Sequence, residues 1–344
     1  MPLPFTLPYE GTSPSFETAP LHAGPGAAVL GRATIGRNAW LGAGAVIRAD
    51  GHYVKIGDDF RIGARGTVHI SHEVHPTNVG NGVTAGHNSI IHACEVGDRC
   101  HIGHGAIILD GSKLGAGSAL ADGSIVFPRT ELEGGWLYEG VPAKPVRRLA
   151  EAELEALHAA SRATADLSST SPDASAARIE AGAGLFVAAT VRIAGRLAAG
   201  PGLGVWFSTR LDAGRHAIRI GDSTNIQDNS IVTARDGDVT IGSHVTFGHN
   251  VTATDVTVGS NTLVGMGSVL APGTVVGDNV LIAAGTRTVA GQHLASGRFH
   301  SGNPAVDRGP IDDRKRMIVE GAWRHYLVYA EAFNREQAAR PTAG

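Results

Sequence analysis

The stretch VGDRCHIGHGAIILDGSKLGAGSALADGSIV (residues 96–126) decides the fold. Its aliphatic residues recur every six positions, at Val96, Ile102, Ile108, Leu114, Leu120 and Val126. Six residues are too few for a helix and a turn, but they suit one short strand and a corner. Three such sides close a triangular coil of about eighteen residues, and stacked coils form a parallel β-helix with the aliphatic side chains inside.

The same spacing continues before this stretch. It links Val29, Ile35, Leu41 and Ile47, then Ile56, Ile62 and Val68, then Val79, Ala85 and Ile91. The repeat also explains the composition, because 47 glycines in 344 residues is about twice the usual ~7 %. Glycine is expected to supply the corners that need a positive φ, and small or branched side chains to fill each layer.

A longer period relates the two halves of the chain. Val29, Ile35, Leu41 and Ile47 correspond, 162 residues later, to Val191, Leu197, Leu203 and Thr209; Ile56, Ile62 and Val68 correspond, 164 residues later, to Ile220, Ile226 and Val232. We interpret this as a tandem duplication in an all-β solenoid with accessory helices. The predicted domains are 1–160 and 185–344, joined by a polar linker over 161–184, and helical spacing predicts helices over 149–160 and 312–333.

Charge and hydropathy exclude several classes of partner. The net charge is −3 and the sequence pI is about 6.6, so neither nucleic acid nor an acidic membrane is an expected partner. The chain has no apolar run of membrane-spanning length and its start lacks the pattern of a signal peptide, which predicts a cytoplasmic protein. Two cysteines, Cys94 and Cys100, are too few for a disulfide framework or a thiolate zinc site.

Two histidines occupy equivalent positions in the repeat. His69 follows the inward Val68 and His92 follows the inward Ile91, so both are expected on the same side of consecutive coils, about 4.8 Å apart. Val79 follows Val68 by eleven positions instead of six, and the five extra residues predict an outward loop. Two stacked imidazoles are an incomplete metal site, and a corner histidine from a neighbouring molecule would complete three nitrogens with one open position.

The ordered motifs of the first half resemble the gamma-class carbonic anhydrase-like family. They are VIRAD (46–50), VKIGDDFRIG (54–63), TVHISH (67–72), NVGNGVTAGHNSIIHACEVGDR (78–99) and WLYEGVPAKPVR (136–147). The second half resembles the family through TRLD (209–212), IRIGDSTNIQDNSIV (218–232), VTIGSHVTFGHN (239–250) and LVGMGSVL (263–270).

This resemblance implies a left-handed β-helix, a trimer, and Zn²⁺ bound between subunits. The implied ligands are His69 and His92 of one protomer and His87 of its neighbour. Three imidazoles also suit Fe²⁺ or Co²⁺.

The family's R-x-D motif is matched in both copies, by Arg48 with Asp50 and by Arg210 with Asp212. The motif is interpreted either as an interface ion pair or as catalytic residues. His104, one coil beyond His87, is either a hydrogen-bond donor to a metal ligand or an exposed histidine at a corner.

The two copies depart from the family in complementary ways. The first copy has Arg61, Gly63 and Ala64 where the family has Asn-x-Gln-Asp, whereas the second keeps Asn225, Gln227 and Asp228. The second copy has Thr233 and Thr254 in place of the stacked histidines and keeps only the corner His249. First copies could form a metal-binding ring separate from that of the second copies, which is favoured because two copies per chain do not alternate evenly round a three-membered ring. Alternatively, a first and a second copy face each other, so that His249, Gln227, Asp228, Arg210 and Asp212 contribute to the site.

The resemblance implies attack of metal-bound hydroxide on CO₂, or on another small electrophilic substrate, or the reverse reaction. The expected protein is therefore a zinc-dependent lyase or hydrolase that works as a homo-oligomer on a small molecule. One alternative is an acyl-CoA-dependent acyltransferase of the hexapeptide class, with His87 as its base. Another is a structural subunit without catalytic activity.

Overall fold

Short strands separated by corners make up most of the described chain, as the six-residue spacing predicts. The computed structural model describes residues 3–164, 166 and 177–340. These residues belong to two compact units, Met1–Ser169 and Thr170–Gly344.

The first unit is a parallel β-helix followed by one helix. Its strands are β1 Phe5–Leu7, β2 Ser15–Phe16, β3 His22–Ala23, β4 Ala28–Ile35, β5 Trp40–Leu41, β6 Val46–Ile56, β7 Arg61–Ile62, β8 Thr67–His69, β9 Thr77–Val79, β10 Thr84–Ala85, β11 Ile90–His92, β12 Glu95–Val96, β13 His101–Ile102, β14 Ile107–Ile108, β15 Lys113–Leu114, β16 Ala119–Leu120, β17 Ile125–Val126, β18 Glu131–Leu132, β19 Trp136–Glu139 and β20 Lys144–Arg148, and its helix is α1 Glu151–Ala163.

These strands form the three sides of a prism. The long strand β6 pairs with β8 through its first residues and with β9 through its last, so one sheet covers two sides in the order β17-β14-β11-β8-β6-β9-β12-β15-β18. The third side has the order β20-β19-β16-β13-β10-β7-β5-β3. Strands stack in parallel from coil to coil, and the antiparallel pair β19–β20 ends the third side.

The core is the column of aliphatic residues that the repeat predicts. Val29, Ile47, Ile62, Ile102 and Leu120 are all fully buried. Each faces the equivalent residue of the next coil; for example, Ile102 is in register with Leu120. The hexapeptide spacing therefore predicts correctly which side chains fill the interior of the β-helix.

The expected role of glycine is correct only in part. Positive φ falls on glycine at some corners, but on Asp59, Arg65 and Asn88 at others. The glycine after an inward residue has a different role: a Cβ on Gly63 would lie 2.7 Å from the His87 backbone nitrogen. Such glycines are needed because the backbone of the next coil passes too close for a side chain.

The second unit repeats this architecture. Its strands are β21 Arg178–Ala181, β22 Phe186–Val187, β23 Arg192–Ala199, β24 Gly204–Val205, β25 Arg210–Ile220, β26 Asn225–Ile226, β27 Ile231–Thr233, β28 Val239–Ile241, β29 Thr246–Phe247, β30 Thr252–Thr254, β31 Thr257–Val258, β32 Leu263–Val264, β33 Val269–Leu270, β34 Val275–Val276, β35 Leu281–Ile282, β36 His293–Leu294, β37 Arg298–Ser301 and β38 Val306–Pro310, and its helix is α2 Asp313–Ala338. Here β25 spans two sides, and the third side runs β22-β24-β26-β29-β32-β35-β37-β38.

The predicted linker, 161–184, is too long. Helix α1 extends to Ala163, and β21 begins the second β-helix at Arg178. The reason is that Ile179 continues the six-residue spacing backwards from Leu185, and β21 pairs in parallel with β23. Residues 165 and 167–176 of the predicted linker lie outside the described residues.

Helix α2 packs through aromatic residues in its second half. Tyr326, Tyr329 and Phe333 are buried, and all three contact Trp206, which is itself fully buried. Met317 and Ile318, in the first two turns of the helix, are 67 % and 50 % exposed.

Candidate metal centre

His69 and His92 are neighbours on adjacent coils of the first unit. They are the last residues of β8 and β11, and the two strands pair in parallel with His92 opposite His69. Val68 and Ile91 point into the core, so the alternation of the strand turns both imidazoles outward. Both side chains are nevertheless buried, and their ring centroids lie 5.2 Å apart.

The two rings face each other through one nitrogen each and contact carboxylates through the other. The Nδ1 of His69 lies 3.2 Å from the Nε2 of His92. The Nε2 of His69 lies 3.0 Å from Asp50 Oδ1, and the Nδ1 of His92 lies 2.6 Å from Asp110 Oδ1. An imidazole whose second nitrogen is held by a carboxylate is the usual arrangement of a metal-binding histidine.

The charge state of the carboxylates fixes the tautomers. Burial of Asp50 acts to raise its pKa, but the charge of Arg48 and then that of His69 outweigh it and bring the pKa well below its usual range. Burial also opposes ionisation of Asp110, and the charge of His92 again prevails, so its pKa is lowered. An ionised carboxylate only accepts hydrogen bonds, so each ring donates its N–H to a carboxylate.

In the neutral rings, the two nitrogens that face each other therefore both carry lone pairs. Two lone pairs 3.2 Å apart repel unless a cation lies between them. That separation is close to the edge of a tetrahedron whose metal–nitrogen bonds are about 2.0–2.1 Å, which is roughly 3.3–3.4 Å. The His69–His92 pair thus fits a divalent metal with tetrahedral preference.

Arg48 and Asp50 form an ion pair within the first unit, and both side chains are completely buried. Asp50 also accepts a hydrogen bond from the backbone N–H of Gly51 at 3.1 Å. The R-x-D pair of the first unit therefore lies behind His69, where it orients the ring. In the second unit, Asp212 instead accepts from the backbone N–H of Gly214 at 3.0 Å.

His87 is held in a different way. Its Nδ1 accepts a hydrogen bond from the backbone N–H of Ala64 at 2.8 Å, so the proton of the neutral ring lies on Nε2. His104 stacks on His87 with ring centroids 5.0 Å apart, as the coil count predicts, and its Nδ1 accepts from the His87 backbone N–H at 2.9 Å. Burial, and next the nearby His104, lower the pKa of His87.

The corner histidine of the second unit has the opposite arrangement. His249 is buried, and its Nδ1 lies 3.1 Å from Asp228 Oδ2. A carboxylate at Nδ1 favours the tautomer with its proton on Nδ1 and a lone pair on Nε2. Asp228 is fixed in turn, because its Oδ1 accepts from the backbone N–H of Phe207 at 3.0 Å. The buried Gln227 donates to Asn225 Oδ1 at 3.3 Å.

Asp110 is the residue of the site that the sequence reasoning missed. It lies eighteen residues after His92, which is one full coil, so the repeat itself places it next to His92. The positions Thr233 and Thr254 of the second unit, in contrast, are in register on β27 and β30 as predicted, and they offer hydroxyl groups where the first unit has imidazoles.

Two family models for hexapeptide repeats match the chain. One, described as bacterial transferase hexapeptide (six repeats), matches residues 255–288, and another, described as hexapeptide repeat of succinyl-transferase, matches residues 76–110. The probable carbonic anhydrase of Methanocaldococcus jannaschii is 33 % identical over 132 residues, which are 38 % of this chain and 82 % of that protein. The chain belongs to the gamma-class carbonic anhydrase-like family.

Relatives of this family also occur in plants. Gamma carbonic anhydrase 1, mitochondrial, of Arabidopsis thaliana is 34 % identical over 149 residues, which are 40 % of this chain. The chain spans about half the length of that relative, 54 %.

The left-handed parallel β-helix of the family is the fold of both units. A crystal structure of a putative acetyltransferase from Desulfovibrio desulfuricans G20 covers 91 % of this chain and 78 % of its own chain, with a TM-score of 0.50 and 15 % identity. At that identity the likeness shows the fold alone. Neither α1 nor α2, the helices of residues 3–164, 166 and 177–340, is long and apolar enough to cross a membrane.

Proposed function

We propose that the protein is a metal-dependent enzyme of the carbonic anhydrase type. It would add water to a small electrophilic carbon, with CO₂ as the leading substrate, or catalyse the reverse reaction. One observation carries the proposal: two buried imidazoles direct lone pairs at each other at 3.2 Å while carboxylates hold their other nitrogens. A divalent metal bound between the two nitrogens would satisfy both lone pairs of the neutral rings, as a shared proton would in a singly protonated pair.

The metal we propose is Zn²⁺. A divalent metal on three imidazoles supplies Lewis acidity, which makes a water molecule acidic enough to act as a nucleophile near neutral pH. The chain's own residues prepare the ligands for it. Asp50 and Asp110 keep protons on the far nitrogens of His69 and His92, and Arg48 keeps Asp50 ionised within the core.

We further propose that the third ligand is His249 rather than His87. The backbone N–H of Ala64 holds His87 as the Nε2–H tautomer, so binding a metal through Nε2 would require an imidazolate or loss of that hydrogen bond. The Nδ1 of His249 lies 3.1 Å from Asp228 Oδ2, which favours a lone pair at Nε2. His69, His92 and His249 are each buried.

This ligand set accounts for the complementary losses in the sequence. The first unit has two histidines backed by carboxylates, but lacks Gln and Asp at the family positions. The second unit retains Gln227 and Asp228 but has threonines at the other two ligand positions. Together, a first and a second unit supply two histidines backed by carboxylates, a corner histidine that has a carboxylate at Nδ1, and the Gln and Asp of the family positions. The protein that works in solution is then proposed to be a homo-oligomer.

The acyltransferase alternative places the catalytic base on His87. A base needs an unprotonated nitrogen directed at its substrate, but the Nδ1 of His87 is engaged by Ala64 and its Nε2 carries the proton. This contact argues for the metal-dependent activity.

Stopped-flow CO₂ hydration by zinc-loaded protein tests the proposed activity. We expect hydration above the buffer rate, and a loss of at least about a hundredfold in His92→Ala, because two ligands do not hold the metal. His293→Ala, a change at an exposed histidine of β36, is the matched control and should leave the rate unchanged. Equal rates in wild type and His92→Ala would refute the proposal.

A further inference from the structure

A cleft separates helix α1 from the third side of the first β-helix. Its volume is about 200 Å³, and its lining includes Arg61, His87, His101, His104 and Asp122 from the β-helix. From the helix come Leu157 and Ala160, with Thr164 directly after it. No residue of the cleft belongs to the His69–His92 pair, so the cleft is a separate feature of the first unit.

Two imidazoles present N–H groups to this cleft. The Nδ1 atoms of His87 and His104 each accept a backbone N–H from the preceding coil, at 2.8 and 2.9 Å. Their neutral rings consequently carry the proton on Nε2. Since the rings are stacked with only 24° between their planes and are anchored by equivalent atoms, the two Nε2–H groups point the same way.

A rigidly held guanidinium adds a positive charge. Arg61 lies over the Trp40 ring, 3.4 Å from its centroid, and His22 stacks on the same ring at 4.5 Å. The Nη2 of Arg61 donates to the Thr164 carbonyl at 3.0 Å. Asp166, which follows, accepts from His22 and from the backbone N–H of Ala43, both at 2.8 Å, and so fastens the chain after α1 to the β-helix.

His101 offers the cleft an acceptor instead of a donor. The Nε2 of His158 lies 3.2 Å from the carbonyl oxygen of Arg99, which can only accept, so the Nδ1 of His158 is an acceptor. Thr84 Oγ1, 2.9 Å away, then donates its single proton to that Nδ1. The same oxygen must accept from the Nδ1–H of His101, also at 2.9 Å, which leaves a lone pair on His101 Nε2.

The neutral state of His101 agrees with this chain of hydrogen bonds. Burial, followed by the nearby His158, lowers its pKa to about 4. Around neutral pH the cleft therefore holds two imidazole N–H donors, one guanidinium and one imidazole acceptor. The carboxylate Asp122 is also in the lining, and its Oδ1 accepts from the backbone N–H of His104 at 2.7 Å.

We propose that this cleft binds a small oxyanion that carries its own proton, of the bicarbonate type. The anionic oxygens would accept from Arg61 and from the Nε2–H groups of His87 and His104, and the hydroxyl of the ligand would donate to His101. A simple carboxylate or a halide lacks that hydroxyl and would donate no hydrogen bond to the lone pair on His101 Nε2.

The size of the cleft supports the same class of ligand. A volume of 200 Å³ corresponds to roughly six or seven water molecules at about 30 Å³ each. Sites for drug-sized ligands and cofactors take about 300–1,000 Å³. A coenzyme or nucleotide would not fit, whereas an anion of four heavy atoms would.

Equilibrium dialysis of the full chain against [¹⁴C]bicarbonate in sealed cells tests the assignment. The measurement is made in the His92→Ala background, so that the metal centre does not contribute. Arg61→Asn and His104→Met are the test variants, because the second unit has Asn225 and Met266 at the corresponding positions of its coils. [¹⁴C]Formate is the comparison ligand without a hydroxyl.

We expect one saturable bicarbonate site per chain in the His92→Ala background. Binding should weaken about tenfold or more in either test variant, since each removes a hydrogen bond to a charged group. Formate should bind at least about fivefold more weakly than bicarbonate. The absence of saturable binding, or equal binding by both variants and their parent, would overturn the assignment.

A crystal structure of the wild-type protein grown in bicarbonate gives an independent answer if the variants fail to fold. A planar four-atom ligand beside Arg61 and His104 would support the assignment. A well-ordered cleft that contains only water at saturating bicarbonate would exclude it.

Discussion

At the scale of single residues, a buried chain of three side chains sets the protonation of one metal-facing ring. Arg48 pairs with Asp50, and Asp50 accepts from His69 Nε2 at 3.0 Å, all within a region closed to solvent. The guanidinium is what allows Asp50 to remain ionised despite its burial. His69 is consequently held with its lone pair on Nδ1, toward His92.

Replacing Asp50→Asn should damage both stability and metal binding. It removes the negative charge beside the buried Arg48, which we expect to cost about 3–5 kcal/mol of unfolding free energy. Loss of the carboxylate behind His69 should lower zinc affinity about 10–100-fold. Urea unfolding and chelator competition measure the two effects.

Asp238→Asn is the matched control, because this exposed carboxylate of the second unit forms a surface ion pair with Arg219. We expect it to lower the unfolding free energy and the zinc affinity clearly less than Asp50→Asn does. Comparable losses in the two variants would contradict the role assigned to Asp50.

The two cysteines should be inert in the folded protein. Burial raises the pKa of the Cys100 thiol to about 11 and that of Cys94 further still. Because thiolate is the reactive form, we expect no reaction with a disulfide reagent at pH 8, and two thiols per chain after denaturation in urea. Rapid modification of either cysteine in the native state would disagree with the buried positions of β-helix residues 94 and 100.

At the scale of elements, helix α1 is joined to the third side of the first β-helix by neutral histidines. His158 on the helix and His101 on β13 share the Thr84 hydroxyl. The arrangement depends on both rings being uncharged, and burial lowers the pKa of each.

This junction predicts acid sensitivity. The pKa of His101 is about 4 in the folded state and about 6.5 in an unfolded chain. The folded state therefore binds the proton less readily, so stability is fully present above pH 6.5 and falls as the pH drops from 6.5 toward 4. The slope from this residue is at most about 1.4 kcal/mol per pH unit.

His101→Leu copies Leu263, the corresponding residue of the second unit, and provides the comparison. Thermal or urea unfolding between pH 4 and 7 should show a shallower pH dependence in this variant. Identical pH profiles for wild type and His101→Leu would exclude His101 as a source of acid sensitivity.

The aromatic cluster under α2 should hold that helix in place. Trp206 is fully buried against Tyr326, Tyr329 and Phe333, so Trp206→Ala should destabilise the second unit by about 3–5 kcal/mol. Trp323→Ala, which removes the ring that stacks on His244, should cost less. Urea unfolding, monitored by near-ultraviolet circular dichroism, gives the unfolding free energy of both variants. An equal loss in Trp206→Ala and Trp323→Ala would contradict the stabilising role of the cluster.

At the scale of the whole molecule, the six-residue spacing was sufficient to predict the fold. It works because each layer admits only one inward side chain per side, so residues such as Ile102 and Leu120 must recur. The same lattice predicts that His69 and His92 are neighbours. The start of the second β-helix at Arg178 was missed, since the surrounding residues are small and polar and Ile179 is 41 % exposed.

The roles of the corner histidines could not be read from spacing alone. His87 and His249 occupy equivalent positions in the repeat, but different groups contact Nδ1: a backbone N–H from Ala64, or a carboxylate from Asp228. A single substitution one coil earlier thus exchanges the protonated nitrogen of the ring. That difference is visible in the hydrogen bonds of the fold and not in the identity of the histidine.

The zinc content of His87→Ala and His249→Ala, measured against wild type by atomic absorption after dialysis, decides which corner histidine binds the metal. We expect that His249→Ala loses the bound zinc, as His92→Ala does, whereas His87→Ala retains the wild-type stoichiometry. Loss of zinc in His87→Ala with full retention in His249→Ala would contradict it, and would assign the third ligand to the corner of a first unit.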